Sequence, residues 1–115
     1  MTTKQVNGGA VNRTITNEEL KALLDTHKDV TILDVRRKAD LDAAPEGVPG
    51  APWHDPEKVD EWSKGLPKDK NVVIYCARGG SVSNKVLDQL LEKKIQARYL
   101  EGGIAAWKAA GNSSS

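Results

Sequence analysis

Cysteine occurs once in these 115 residues, as Cys76. That single thiol excludes an intrachain disulfide, a Cys-x-x-Cys redox pair and a multi-cysteine zinc site. Histidine is nearly as scarce: His27 and His54 stand far apart and lack the spacing of metal ligands, so no metal site is expected. Long apolar runs are missing too. None approaches the roughly 20 residues that cross a bilayer, and the polar stretch Met1 to Ala10 lacks the apolar core of a signal peptide. The expectation is a cytoplasmic protein with no membrane association. Nor is there an excess of one charge: 17 basic residues against 16 acidic ones leave a formal net charge of +1. Such a balance provides no general attraction to nucleic acid or to an anionic membrane.

What is present suits one globular domain, with 38% apolar and 29% charged residues in a chain too short for two typical units. Residues 1–10, which include Gly8-Gly9, read as a flexible leader, residues 11–111 as the domain and residues 112–115 as a flexible tail. Thr16-Asn17-Glu18-Glu19 has the form of a capping box. Leu20, Leu23, Leu24 and His27 then recur at helical spacing, predicting a helix from about Asn17 to His27. Val30 to Val35 is a short β-branched run that suits a strand buried on both faces. Lys38 to Ala44 reads as a short helix stopped by Pro45. Residues 47–56 are rich in proline and read as loop, with a short extended piece near Val48 to Trp53. A further short helix is expected from Glu57 to Lys64, and a second buried strand from Asn71 to Cys76. Val82, Val86, Leu87, Leu90 and Leu91 define the apolar face of another helix. Ala97 to Leu100 is a third strand, and Gly102-Gly103 turns into a last helix, Ile104 to Ala110. Strands alternating with helices imply a parallel sheet covered on both faces, and ligands of such sheets bind beyond the carboxyl ends of the strands. Cys76 falls at such an end.

The segment Cys76-Ala77-Arg78-Gly79-Gly80-Ser81-Val82-Ser83 joins strand to helix. Gly79 and Gly80 allow the loop to curl, so that successive N–H groups point inward as an anion-binding nest. The following helix adds its positive end, with Ser81 or Ser83 as its expected N-cap, and Arg78 adds a full charge near the rim. A helix N-terminus and a nearby cation both lower a cysteine pKa, so a substantial thiolate fraction is predicted at neutral pH.

With these residues in place the sequence resembles the rhodanese family over about residues 12–111. The resemblance rests on four pieces in the family's order: Ile32-Leu33-Asp34-Val35-Arg36; Val48-Pro49-Gly50-Ala51; Val73-Ile74-Tyr75-Cys76 with its loop; and Leu100-Glu101-Gly102-Gly103-Ile104-Ala105-Ala106-Trp107 followed by Gly111. It implies an α/β fold with a five-stranded parallel sheet flanked by helices. It also implies that Cys76 is the sulfur-carrying nucleophile, that residues 77–81 form its cradle and that no cofactor is needed. Val82 closes the expected substrate-binding set. The partners implied are a small-molecule sulfur donor, thiosulfate or a persulfide, and a cyanide or thiol acceptor, with a protein as a further candidate acceptor. Asp34, Arg36, Gly102 and Gly103 are read as structural support. The region before Val48-Pro49-Gly50-Ala51 departs from the pattern: Glu46-Gly47 stands where family members often carry a histidine.

Two other readings compete. A non-catalytic rhodanese-like module would bind or regulate, although such modules often lack the cysteine. A cysteine phosphatase or arsenate reductase would use a loop of cysteine, five residues and arginine, but counting from Cys76 reaches Val82.

Overall fold

The computed structural model of the chain describes residues 13–26, 30–66, 71–78 and 80–112. The expected leader, His27, Gly79 and residues 113–115 of the expected tail lie outside the described residues. In chain order the elements are β1 (Thr14–Ile15), α1 (Asn17–Asp25), β2 (Val30–Asp34), α2 (Lys38–Ala43), α3 (Val59–Trp62) with a 3-10 turn at Ser63–Gly65, β3 (Asn71–Tyr75), α4 (Ser81–Glu92), β4 (Ala97–Leu100) and α5 (Gly103–Ala109).

Local chemistry accounts for the first helix. The Thr16 hydroxyl accepts from the Glu19 N–H at 3.1 Å, and the Glu19 carboxylate accepts from the Thr16 N–H at 2.9 Å. This reciprocal pair satisfies two N–H groups that the helix start would otherwise leave open. The Thr16 N–H and hydroxyl also hold the Glu19 pKa below its ordinary value, in keeping with a carboxylate at the positive end of a helix.

The strands are all parallel and lie in the order β1-β4-β3-β2. Period-two alternation divides their side chains between two apolar layers. On one face Leu33, Val35, Val72 and Ile74 pack with Val59 and with Val86, Leu87 and Leu90 of α4. On the other, Ile32, Val73, Tyr75 and Leu100 pack with Leu20 of α1 and with Ile104 and Trp107 of α5. Helices therefore cover both faces, as a buried parallel sheet requires. No helix among the described residues is long and apolar enough to cross a membrane.

Three details correct the sequence reading. The sheet has four strands, not five, among the described residues. The expected extended piece near Val48 to Trp53 contributes only a one-residue bridge, Trp53 against Asp34. Pro49, Pro52 and Pro56 surround it and lack the N–H groups a longer ladder would need. The bridge is closed by Asp34 N–H to the Pro52 carbonyl at 3.0 Å and His54 N–H to the Asp34 carbonyl at 2.8 Å. Second, β1 was not foreseen; two residues beside β4 are too short to display alternation. Third, the N-cap of α4 is Gly80, with no side-chain capping bond, rather than Ser81 or Ser83.

Because every strand runs the same way, their carboxyl ends gather on one edge. Asp34 ends β2, Cys76 follows β3 directly, and Glu101-Gly102 follows β4. β3 lies between β2 and β4, so Cys76 emerges inside the sheet rather than at its margin.

Candidate active site

Cys76 is 5% exposed, enclosed by the loop that follows it and by the start of α5. Its carbonyl accepts from the Ile104 N–H at 3.0 Å, and the Ala77 carbonyl accepts from the Ala105 N–H at 3.1 Å. In a trans peptide the C=O and the next N–H point in opposite directions. Tying the Ala77 carbonyl to α5 thus turns the Arg78 N–H away from α5, toward the sulfur. The close approach of α5 depends on Gly102 and Gly103, whose φ values of 76° and 62° lie in the left-handed region. A Cβ on Gly102 would also collide with the Cβ of Ala106.

Burial is the strongest influence on the Cys76 thiol and pushes its pKa up. Against it act the Ser83 hydroxyl and the N–H groups of Gly80, Ser83 and Arg78, and together they prevail, so the pKa lies below the ordinary thiol value. These are fixed dipoles in a place with little water, where they favour a sulfur anion more than water dipoles would. Among the described residues the Ser83 hydroxyl itself forms no hydrogen bond of regular geometry. Its effect on the sulfur is that of a nearby dipole not yet aligned on it.

The other expected cradle residues are distributed unevenly. Ala77 is half-buried. Arg78 contributes its N–H to the sulfur, while its side chain is exposed. Gly79 lies outside the described residues. Gly80 offers its N–H, yet its φ is −107° and a Cβ there would meet nothing within 4 Å, so space does not demand glycine. Ser81 is exposed as the first residue of α4. Val82 turns its side chain against the apolar layer around Val86 and Leu87. Ser81, Val82 and Lys85 also line a cleft of about 340 Å³ together with Arg37 and Glu57.

Asp34 and Arg36 form a buried pair beside the site, with side chains 4% and 1% exposed. The guanidinium donates to the carboxylate through Nε at 3.0 Å and Nη2 at 2.7 Å, and through Nη1 to the Ala44 carbonyl at 2.7 Å. Burial alone would lower the Arg36 pKa, but the Asp34 carboxylate more than offsets it and the net shift is upward. The Trp53 indole donates to the Arg36 carbonyl at 2.8 Å, so the pair joins β2, the end of α2 and the bridge at Trp53. Tyr75 stands next to it. Burial, followed by the Asp34 charge, pushes its pKa up to about 12, and the neutral phenol accepts from the Val48 N–H at 3.1 Å.

The family profile described as "Rhodanese-like domain" matches residues 16–110. The chain belongs to the rhodanese-like domain family. Among curated relatives, it is 35% identical over 98 residues to a "Sulfurtransferase" of Allochromatium vinosum, covering 81% of this chain and 85% of that one. It is 34% identical over 83 residues to "Thiosulfate sulfurtransferase GlpE" of Coxiella burnetii, covering 71% of this chain and 75% of that one. Among solved structures, a rhodanese-like domain protein from Staphylococcus aureus superposes with a TM-score of 0.73 at 33% identity, covering 83% of this chain and 90% of that one.

Within this rhodanese-like domain, sequence reasoning missed one contributor. Ser83, an N-cap candidate by sequence, instead sits at the third position of α4 and is fully buried beside the cradle. The signal was available: Ser83 precedes Val86, Leu87 and Leu90 by three, four and seven residues, which puts it on the inward stripe. For the phosphatase reading, the rhodanese-like loop offers a half-buried, apolar Val82 packed against the core where an arginine would be needed.

Proposed function

We propose that this rhodanese-like domain is a sulfurtransferase that carries a sulfane sulfur on Cys76, taking it from thiosulfate or a persulfide donor and passing it to cyanide or a thiol. The Cys76 thiolate attacks the outer sulfur of thiosulfate and forms a new S–S bond. The original S–S bond breaks, and sulfite leaves with its electron pair. The acceptor then attacks the outer sulfur of the Cys76 persulfide; with cyanide, thiocyanate departs and the thiolate returns. Each step exchanges one nucleophile for another at sulfur, so no oxidant or reductant is consumed, and the two half-reactions give ping-pong kinetics.

The observation that carries this reading is the environment of the thiol: the sulfur is buried at the end of β3, and the Ser83 hydroxyl with the N–H groups of Gly80, Ser83 and Arg78 together outweigh that burial. Such a cradle favours both the attacking thiolate and the persulfide anion. The exposed Arg78 guanidinium at the rim adds attraction for an anionic donor. Ala77 to Val82, Gly79 included, are the proposed substrate loop, with Asp34, Arg36, Gly102 and Gly103 as its supports. The curated relatives with sulfurtransferase names support the reaction class.

The test is intact mass after incubating reduced protein with thiosulfate or a persulfide donor. The expected result is a gain of one sulfur atom that cyanide or a thiol removes and that Cys76→Ser never acquires. No gain with either donor would leave the domain as a binding module. The rate of loading should rise with pH as the thiolate forms. Because the Cys76 pKa is lowered, the midpoint of that rise should lie below that of an ordinary cysteine thiol. A midpoint at or above the ordinary value would contradict the cradle's role.

A further inference from the structure

Ser83 is 0% exposed, in the first turn of α4. Its Oγ has no regular hydrogen bond among the described residues. An unpaired hydroxyl inside a protein is unfavourable, and nearly all such groups find a partner. An alanine would fill the same inward position without that penalty. The side chain is therefore either a defect or a group whose partner is complete only in another state of the site. The Cys76 sulfur is the polar atom on which this hydroxyl acts. A thiol is a weak acceptor, whereas a thiolate is a strong one, and a serine hydroxyl can rotate its proton to suit.

We propose that Ser83 is a positioning residue whose buried hydroxyl is held in reserve for the Cys76 sulfur and donates fully to it when the sulfur is an anion. In the resting thiol the hydroxyl is poorly satisfied. Loss of the thiol proton supplies the missing acceptor, so the two groups are satisfied together. The unsatisfied serine thereby shifts the balance of the site toward the reactive form. The inference rests on Cys76 being the reactive group of the proposed function, but it concerns the thiolate and is testable without sulfur transfer.

The experiment compares wild type, Ser83→Ala and Ser83→Thr by the rate of Cys76 alkylation with iodoacetamide as a function of pH, with a thermal melt of each. Charged and titratable groups on the elements around the sulfur are common to all three: Asp34 at the end of β2 and Arg36 beyond it, Tyr75 and Arg78 flanking Cys76, Lys85 on α4 and Lys108 on α5. Ser83→Ala should shift the midpoint upward and lower the rate about tenfold below the wild-type midpoint, the size expected for losing one hydrogen bond to a charged group. Its melting temperature should be equal or higher, since an unpaired hydroxyl has been removed. Ser83→Thr keeps the hydroxyl and should restore the wild-type pH profile. A Ser83→Ala profile that superposes on wild type overturns the inference, as does an equal shift in Ser83→Thr with its melt unchanged. Sulfur loading separates the two claims. A protein that loads sulfur normally with an unmoved Ser83→Ala profile retains the proposed function and loses this inference. One that never loads sulfur yet shows the shifted profile does the reverse.

Discussion

Arg36→Met should cost the fold about 3–5 kcal/mol, because it leaves the Asp34 carboxylate buried without its counter-charge. The carboxylate side chain is only 4% exposed, and the Arg36 fork supplies its side-chain hydrogen bonds, with the Arg36 N–H adding one more at 3.0 Å. The same substitution frees the Ala44 carbonyl at the end of α2. Set against a typical domain stability of about 5–15 kcal/mol, the loss is large. In urea the transition midpoint should fall with little change in slope, since the surface exposed on unfolding is nearly the same. A second variant, Asp34→Asn with Arg36→Met, removes both charges and should recover a good part of the loss, because the penalty comes from the stranded charge more than from the missing attraction. A single variant as stable as wild type would show that water or a rearranged loop reaches Asp34.

Gly102→Ala should destabilise the domain by about 2–4 kcal/mol and make the Cys76 thiol less acidic at the same time. Two penalties combine: a non-glycine residue held in the left-handed region, and a side chain forced into an occupied space. The φ at Gly102 is 76°, and the added Cβ would collide with Ala106 in the second turn of α5. Relief comes by moving α5, and the Ile104 and Ala105 N–H groups that hold the Cys76 and Ala77 carbonyls would move with it. Gly50→Ala provides the comparison. Its φ is 82°, but nothing lies within 4 Å of the new Cβ. It should show the backbone penalty alone, about 1 kcal/mol, with no change in alkylation of Cys76. Equal effects of the two substitutions would mean that the collision is relieved without disturbing the loop after Cys76.

The parts of this molecule that were legible in its sequence are those where one physical signal dominates. The β-branched runs at Val30–Asp34 and Asn71–Tyr75 are buried on both faces and needed no partner to be recognised. The capping box at Thr16 is a local hydrogen-bonding pattern, and it formed as written. Where several signals compete, the reading slipped. Ser81 and Ser83 both resemble caps, but the start of α4 is set by where β3 ends and the loop turns. That left Gly80 at the cap and carried Ser83 onto the buried stripe. The fifth strand was expected from resemblance, whereas the prolines around Trp53 reduce it to a single bridge. Cys76 at a strand end was visible, but its link to α5 was not: the bonds from Ile104 and Ala105 cross a long stretch of chain and depend on how β4 pairs beside β3.

That link has a bearing on when the thiol acquires its character during synthesis. Cys76 leaves the ribosome well before the residues of α5, whose N–H groups orient the loop after Cys76. A nascent chain that has exposed the cysteine but not yet Gly103 to Ala109 lacks the contacts that turn the loop's donors onto the sulfur. Its thiol should keep the ordinary pKa of an exposed cysteine. The surroundings that lower the thiol pKa are therefore completed only by the last helix, and the fold finishes enclosing the sulfur when its C-terminal segment is in place.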